Sequence, residues 1–148
     1  MEYGDYECPA CGAAFPIVKR LQEHLGDRLK VVFRNFPLRE IHPYAEHAAE
    51  TAEFAAADGH FWEMHDLLFE NQETLEDEFL FQLAAKMALS AHKLRRTLAA
   101  ETYRDRVEGD FRGGIRSGVN GTPTFFINGV RHDGSYDFGT LLEAIMLA

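Results

Sequence analysis

The chain has 148 residues, which is enough for one folded domain with a hydrophobic core. Its 15 Lys and Arg residues against 24 Asp and Glu residues give a formal charge of −9, and an acidic surface repels phosphate backbones, which argues against nucleic-acid binding. No apolar run approaches the roughly 20 residues that a membrane-spanning helix needs, so we expect no membrane span.

The N-terminal residues 1–5 contain no basic segment, no apolar stretch and no small-residue cleavage site that would indicate a signal peptide. The sequence as given therefore predicts a cytoplasmic protein. An exported, periplasmic protein is the alternative if the natural N-terminus lies upstream of Met1.

A strand, a helix and a second strand are predicted in the first quarter of the chain. Residues 1–3 resemble the end of a strand, and the apolar spacing that follows Pro9 fits one face of a helix that ends at Gly26. Residues 29–35 are rich in β-branched and aromatic side chains, which favours a strand.

A block of helices follows. An amphipathic helix is predicted from Tyr44 to the Asp58-Gly59 pair, and further helices are predicted near residues 60–70, 77–88, 90–100 and 104–118. The last of these contains four glycines, each of which costs about 1 kcal/mol relative to Ala inside a helix.

The C-terminal part returns to strands. Residues 124–127 are predicted as a strand, Asn128-Gly129 as a two-residue hairpin turn, residues 130–132 as the return strand, and a closing helix begins at Phe138. The order of elements predicts one α/β domain over 1–148, with a sheet-containing core (1–42 and 104–148) and a helical insertion (43–103) after the second strand.

Cys8 and Cys11 are the two cysteines of the chain, and two residues separate them at the predicted start of a helix. Free N–H groups there favour a thiolate at Cys8, and Cys11, one turn inside, is placed to resolve a mixed disulfide. The alternatives are half of a zinc site or two unrelated buried thiols.

A metal site is not expected elsewhere. The histidine pairs His42 with His47 and His60 with His65 are each five residues apart, which is poor spacing for one helical face.

Three separated motifs resemble the DsbA-like thioredoxin-fold family, and together they extend over nearly the whole chain. They lie at residues 2–11, 33–38 and 121–129. The resemblance implies a thioredoxin fold with a helical domain inserted after the second strand. It also implies a thiol–disulfide oxidoreductase that needs no cofactor, acts on protein or small thiols, and relies on a redox partner that recycles the cysteine pair.

The resemblance also assigns site residues beyond the cysteines. Pro123 would form a cis peptide bond facing the redox centre, and the backbone of Thr122 would pair with an extended substrate segment. Pro9 and Ala10 would complete the substrate-binding surface. Glu2 matches a buried acid that accepts the proton of the resolving thiol, although an exposed carboxylate at a strand end is the alternative.

Two other functions remain open from the sequence. Domains similar to this one occur fused to membrane transporters, which favours a non-catalytic redox-sensing or regulatory domain. A glutathione-dependent isomerase or transferase on the same fold is the other alternative, but those relatives often lack a second cysteine such as Cys11.

We expect the disulfide to be less oxidising than that of DsbA, which has His at the position of Ala10. An imidazole helps to stabilise the thiolate, and Asp5 and Glu7 add negative charge that disfavours it. Equilibration with glutathione measures the reduction potential, which should be more negative than the roughly −120 mV of DsbA. A potential as high as that of DsbA would contradict this expectation.

Overall fold

The computed structural model describes residues 1–148, and its centre is a four-stranded mixed sheet in the order β2-β1-β3-β4. β1 pairs in parallel with β2 and antiparallel with β3, and β3 pairs antiparallel with β4. Asn128 and Gly129 form the β3–β4 turn with positive φ values of 48° and 82°, as the hairpin prediction requires. The strands are β1 (Glu2–Gly4), β2 (Phe33–Asn35), β3 (Thr124–Ile127) and β4 (Val130–Arg131).

Seven α-helices accompany the sheet. Four of them, α2 to α5, lie between β2 and α6 in the chain and are called the helical block below. No helix is both long enough and apolar enough to span a membrane. The order of the strands and helices is that of the thioredoxin-like α/β fold, with helices inserted after the second strand. The helices are α1 (Pro9–Leu25), α2 (Ala45–Ala56), α3 (Phe61–Glu70), α4 (Asp77–Lys86), α5 (Ala91–Ala99), α6 (Arg104–Arg116) and α7 (Phe138–Leu147).

The second strand is shorter than the sequence predicts. β2 begins at Phe33 because its partner β1 begins opposite it, at Glu2. Leu29 and Val31 instead line a groove of about 410 Å³ together with side chains from β3 and α7. Leu29 and Val31 therefore have high strand propensity but no partner strand with which to pair.

The largest hydrophobic cluster joins the helical block to the start of α1. Cys8 and Cys11 belong to it, together with Tyr6 and Phe33 from the sheet side and many side chains from α2 to α5. A second cluster packs α1 against β3 and α7. The cysteine pair therefore lies where the helical block meets the core.

Helix α6 forms despite its glycines because one of them allows the helix to approach the sheet closely. A Cβ atom at Gly114 would lie 2.8 Å from the ring of Phe36 and 3.1 Å from that of Tyr3. Both rings are buried, and Phe36 also stacks on Phe111, so they have little room to move. At the neighbouring Gly113, the nearest atom would be 3.8 Å away.

We predict that Gly114→Ala lowers the free energy of unfolding by about 1–3 kcal/mol through overpacking. Gly113→Ala is the matched control and should raise it by up to about 1 kcal/mol through helix propensity. Urea unfolding of both variants measures the difference. Equal effects at the two positions would show that the close approach is unimportant.

Candidate active site

Cys8 is the residue that caps the start of α1. Its backbone is extended, and Pro9 occupies the first helical position, where a missing N–H costs no hydrogen bond. The N–H groups of Ala10 and Cys11 therefore hydrogen-bond to the Cys8 sulfur. Pro9 is exposed and Ala10 is half-buried, so both present surface beside the sulfur.

Hydrogen-bond donors lower the pKa of the Cys8 thiol to about 5. The largest effect comes from the Cys11 thiol, which donates to the Cys8 sulfur; the Thr122 side chain and the two backbone N–H groups add to it. Burial acts in the opposite direction, since it disfavours the charged form. At neutral pH Cys8 is consequently a thiolate.

Cys11 has the opposite character. Its side chain is completely buried, and its pKa is raised far above that of an ordinary thiol. The main cause is the hydrogen bond that Cys11 donates to Cys8, and burial and the negative charge of Glu2 raise the pKa further. In the reduced protein Cys11 therefore remains a neutral thiol.

Thr122 and Pro123 come from the loop before β3, yet they lie against the cysteine pair. The Cys8 sulfur lies 3.5 Å from the backbone carbonyl oxygen of Thr122, although the two residues are 114 positions apart. The Thr122–Pro123 peptide bond is cis. The Thr122 hydroxyl is buried without another partner in the protein, and it lowers the pKa of the Cys8 thiol.

Glu2 is buried rather than exposed, with 4% of its surface accessible. Burial raises the pKa of its carboxyl group to about 8, and the N-terminal ammonium group opposes this shift. A cavity of about 50 Å³ borders Glu2 and is also lined by Lys19, His65 and Asp66. A water molecule needs only about 10–15 Å³, so the buried carboxyl group has space for solvent beside it.

The loop that carries Cys8 is held by a carboxylate whose structural role the sequence analysis missed. Asp5 accepts hydrogen bonds from the backbone N–H of Glu7 (2.7 Å) and of Leu38 (2.8 Å) and contacts Nδ1 of His42 (2.8 Å). Glu7 accepts a hydrogen bond from the backbone N–H of Tyr44. The side chains of Asp5 and Glu7 thus each accept hydrogen bonds from backbone N–H groups. The Asp5–Glu7 contact is an Asx turn, which the sequence could have indicated.

Gln72 also holds the loop that carries Cys8, and the sequence did not indicate this role. It lies in a short 3₁₀ turn between α3 and α4, and its side-chain amide donates to the backbone carbonyls of Tyr6 (2.9 Å) and Cys8 (2.8 Å). No sequence signal could have found it, because this contact joins residues more than 60 positions apart.

The two histidines of each predicted pair contact different side chains. Nδ1 of His47 contacts Asp77, Nδ1 of His60 contacts Glu63, and Nδ1 of His65 contacts the Tyr6 hydroxyl at 3.0 Å. Burial lowers the pKa of His65 to about 3, so this imidazole is neutral.

Residues 1–146 match the family described as Thioredoxin. The chain belongs to this family. A curated relative, the Na⁺/H⁺ antiporter NhaA 3 of Salinispora tropica, is 43% identical to the chain over 148 residues. The match covers 100% of this chain and 22% of the antiporter, so this thioredoxin-family chain spans about a fifth of the length of that relative.

Solved structures of thioredoxin-like proteins superimpose on nearly the whole chain. BdbD from Bacillus subtilis has a TM-score of 0.86 at 26% identity, covering 99% of this chain and 84% of BdbD. A thioredoxin-like oxidoreductase from Silicibacter pomeroyi has a TM-score of 0.85 at 23% identity, covering 99% and 83%. The thiol-disulfide exchange protein alpha-DsbA2 from Wolbachia pipientis has a TM-score of 0.79 at 17% identity, covering 99% and 80%. The fold is therefore of the DsbA type.

We predict that Thr122→Val raises the pKa of Cys8. Valine has the shape of threonine but carries a methyl group in place of the hydroxyl that stabilises the thiolate. The ultraviolet absorbance of the thiolate, followed across a pH titration, measures this pKa. Thr102→Val, at an exposed position, is the control and should leave the pKa unchanged. An unchanged pKa in Thr122→Val would remove the hydroxyl from the set of stabilising donors.

Proposed function

We propose that the chain is a thiol–disulfide oxidoreductase that exchanges disulfides with protein or small-molecule thiols through Cys8-Pro9-Ala10-Cys11. The observation that carries this proposal is the asymmetry of the two sulfurs. Cys8, at the N-terminal end of α1, is ionised at neutral pH, and Cys11 is neutral and buried behind it. Such an arrangement provides an attacking and a resolving group.

In the reducing direction, the Cys8 thiolate attacks one sulfur of a substrate disulfide and the other sulfur leaves as a thiolate, which takes up a proton. Cys11 then loses its proton and attacks the Cys8 sulfur, and the second substrate thiolate leaves. Two electrons pass to the substrate, and the Cys8–Cys11 disulfide forms. The oxidising direction is the reverse, and a redox partner of the opposite poise restores the starting state.

The change in Cys8 during the first step activates Cys11. The Cys8 thiolate is the main cause of the raised pKa of Cys11, because it holds the Cys11 proton. Once Cys8 is bonded to substrate, that negative charge is gone, so the pKa of Cys11 falls. Glu2, with a pKa of about 8, is then the base that receives the proton in the fraction of molecules in which its carboxyl group is ionised.

The carbonyl group of Thr122 supports a substrate-binding role. Its oxygen lies 3.5 Å from the Cys8 sulfur. Neither the Cys8 thiolate nor a mixed disulfide carries a proton on the Cys8 sulfur, so the carbonyl can accept a hydrogen bond from the backbone N–H of an extended substrate. Pro9 and Ala10 form the neighbouring surface that the substrate contacts.

A second candidate function is a non-catalytic domain that regulates a transporter through protein contacts. The observation in its favour is the high identity to a stretch of a protein named as a Na⁺/H⁺ antiporter. The two functions differ in their need for Cys8. A Cys8→Ser variant that preserves an effect on ion transport would favour regulation, and loss of that effect together with exchange would favour catalysis.

We predict that Cys8→Ser abolishes disulfide exchange, because serine is not ionised at neutral pH. Cys11→Ser should retain the first attack and accumulate a mixed disulfide with substrate, since the resolving thiol is missing. Reduction of a model protein disulfide measures activity, and mass spectrometry under non-reducing conditions measures the trapped adduct. Both variants exchanging at the unmodified rate would contradict the proposed function.

A further inference from the structure

Gln72 is the part of the helical block that reaches the loop carrying the nucleophile. Its single amide group donates to two carbonyls, those of Tyr6 and Cys8, at 2.9 and 2.8 Å. These two residues enclose Glu7, and they immediately precede the first turn of α1. The amide thus fixes both ends of the short segment from which the reactive sulfur projects.

The Tyr6 carbonyl depends on this contact. Tyr6 is 1% exposed, and Gln72 is the one donor that its carbonyl group has within the protein. The Cys8 carbonyl also accepts from the backbone N–H of Gly12, at 3.0 Å, as the first hydrogen bond of α1. Since a buried carbonyl needs a donor, the segment would have to move if the amide were removed.

The first turn of α1 is shaped to admit this side chain. A methyl group at Gly12 would overlap Oε1 of Gln72 and lie 2.6 Å from its Cδ atom. Gly12 has no unusual backbone conformation that would require glycine. This close approach is separate from the two hydrogen bonds, and it indicates that the position is adapted to the amide.

We propose that Gln72 is a positioning residue for the redox centre, holding the Tyr6–Cys8 segment so that the Cys8 sulfur stays over the N–H groups of Ala10 and Cys11. The inference rests on the proposed thiol–disulfide exchange. In this arrangement the helical block does more than cover the core, because one of its side chains sets the geometry that stabilises the thiolate.

The test uses Gln72→Met, which preserves side-chain length but removes both donors, and Gln82→Met as the control at an exposed position of α4. Two properties are measured without any protein substrate: the ionisation of Cys8, from thiolate absorbance against pH, and the reduction potential, by equilibration with glutathione. We expect Gln72→Met to ionise at higher pH and its disulfide to be less oxidising. A tenfold change in the exchange equilibrium corresponds to about 30 mV.

Gly12→Ala provides an independent route to the same effect, since it displaces Gln72 without altering the amide. It should shift both properties in the same direction, and the Gly12→Ala, Gln72→Met double variant should shift them no further than Gln72→Met alone. If Gln72→Met unfolds, Gln72→Leu replaces it, because leucine is uncharged and similar in volume but cannot donate.

The proposal is overturned if the Gln72 variants match Gln82→Met in both ionisation and potential, or if the Gly12 and Gln72 effects add fully. That outcome would leave the proposed function standing, because loss of exchange in Cys8→Ser tests it separately.

Discussion

The hydrogen bond from the Cys11 thiol to the Cys8 sulfur is the interaction on which the rest of the site depends. It lowers the pKa of Cys8 and raises that of Cys11. The position of one proton therefore determines that Cys8 is the nucleophile and that Cys11 remains a neutral thiol. The backbone at the start of α1 and the Thr122 hydroxyl support the same charge. The low pKa of Cys8 arises from neighbouring donors and from no charged side chain.

The surroundings of this hydrogen bond come from all parts of the chain. The Asp5 carboxylate joins the loop before α1 to Leu38 and His42, and the Tyr6 hydroxyl contacts His65 of the helical block. The Thr122 loop closes the opposite side. A thioredoxin-type sheet of short strands is sufficient as a scaffold because these polar contacts, together with buried aromatic rings, hold the reactive segment in place.

Much of this arrangement could be predicted from local sequence. The spacing of the cysteines, Pro9 at a helix start, Gly26 at its end and the Asn128-Gly129 turn each have a local physical cause, and the structure has these helix ends and this turn as predicted. The burial of Glu2 and the length of β2 depend instead on which strand lies alongside, which periodicity does not contain. The glycines of α6 weakened a correct helix prediction because Gly114 serves packing against Phe36.

The cavity beside Glu2 has a consequence for spectroscopy. Trp62, the one tryptophan of the chain, lines the same cavity, and its indole ring lies edge-on to the His65 ring with centroids 5.1 Å apart. Indole emission responds to nearby charge, and the neighbouring carboxyl group gains or loses its charge near pH 8. We therefore expect the intrinsic fluorescence of this protein to change as Glu2 gains or loses its proton, in an unlabelled sample and without any change of bonding at the two sulfurs.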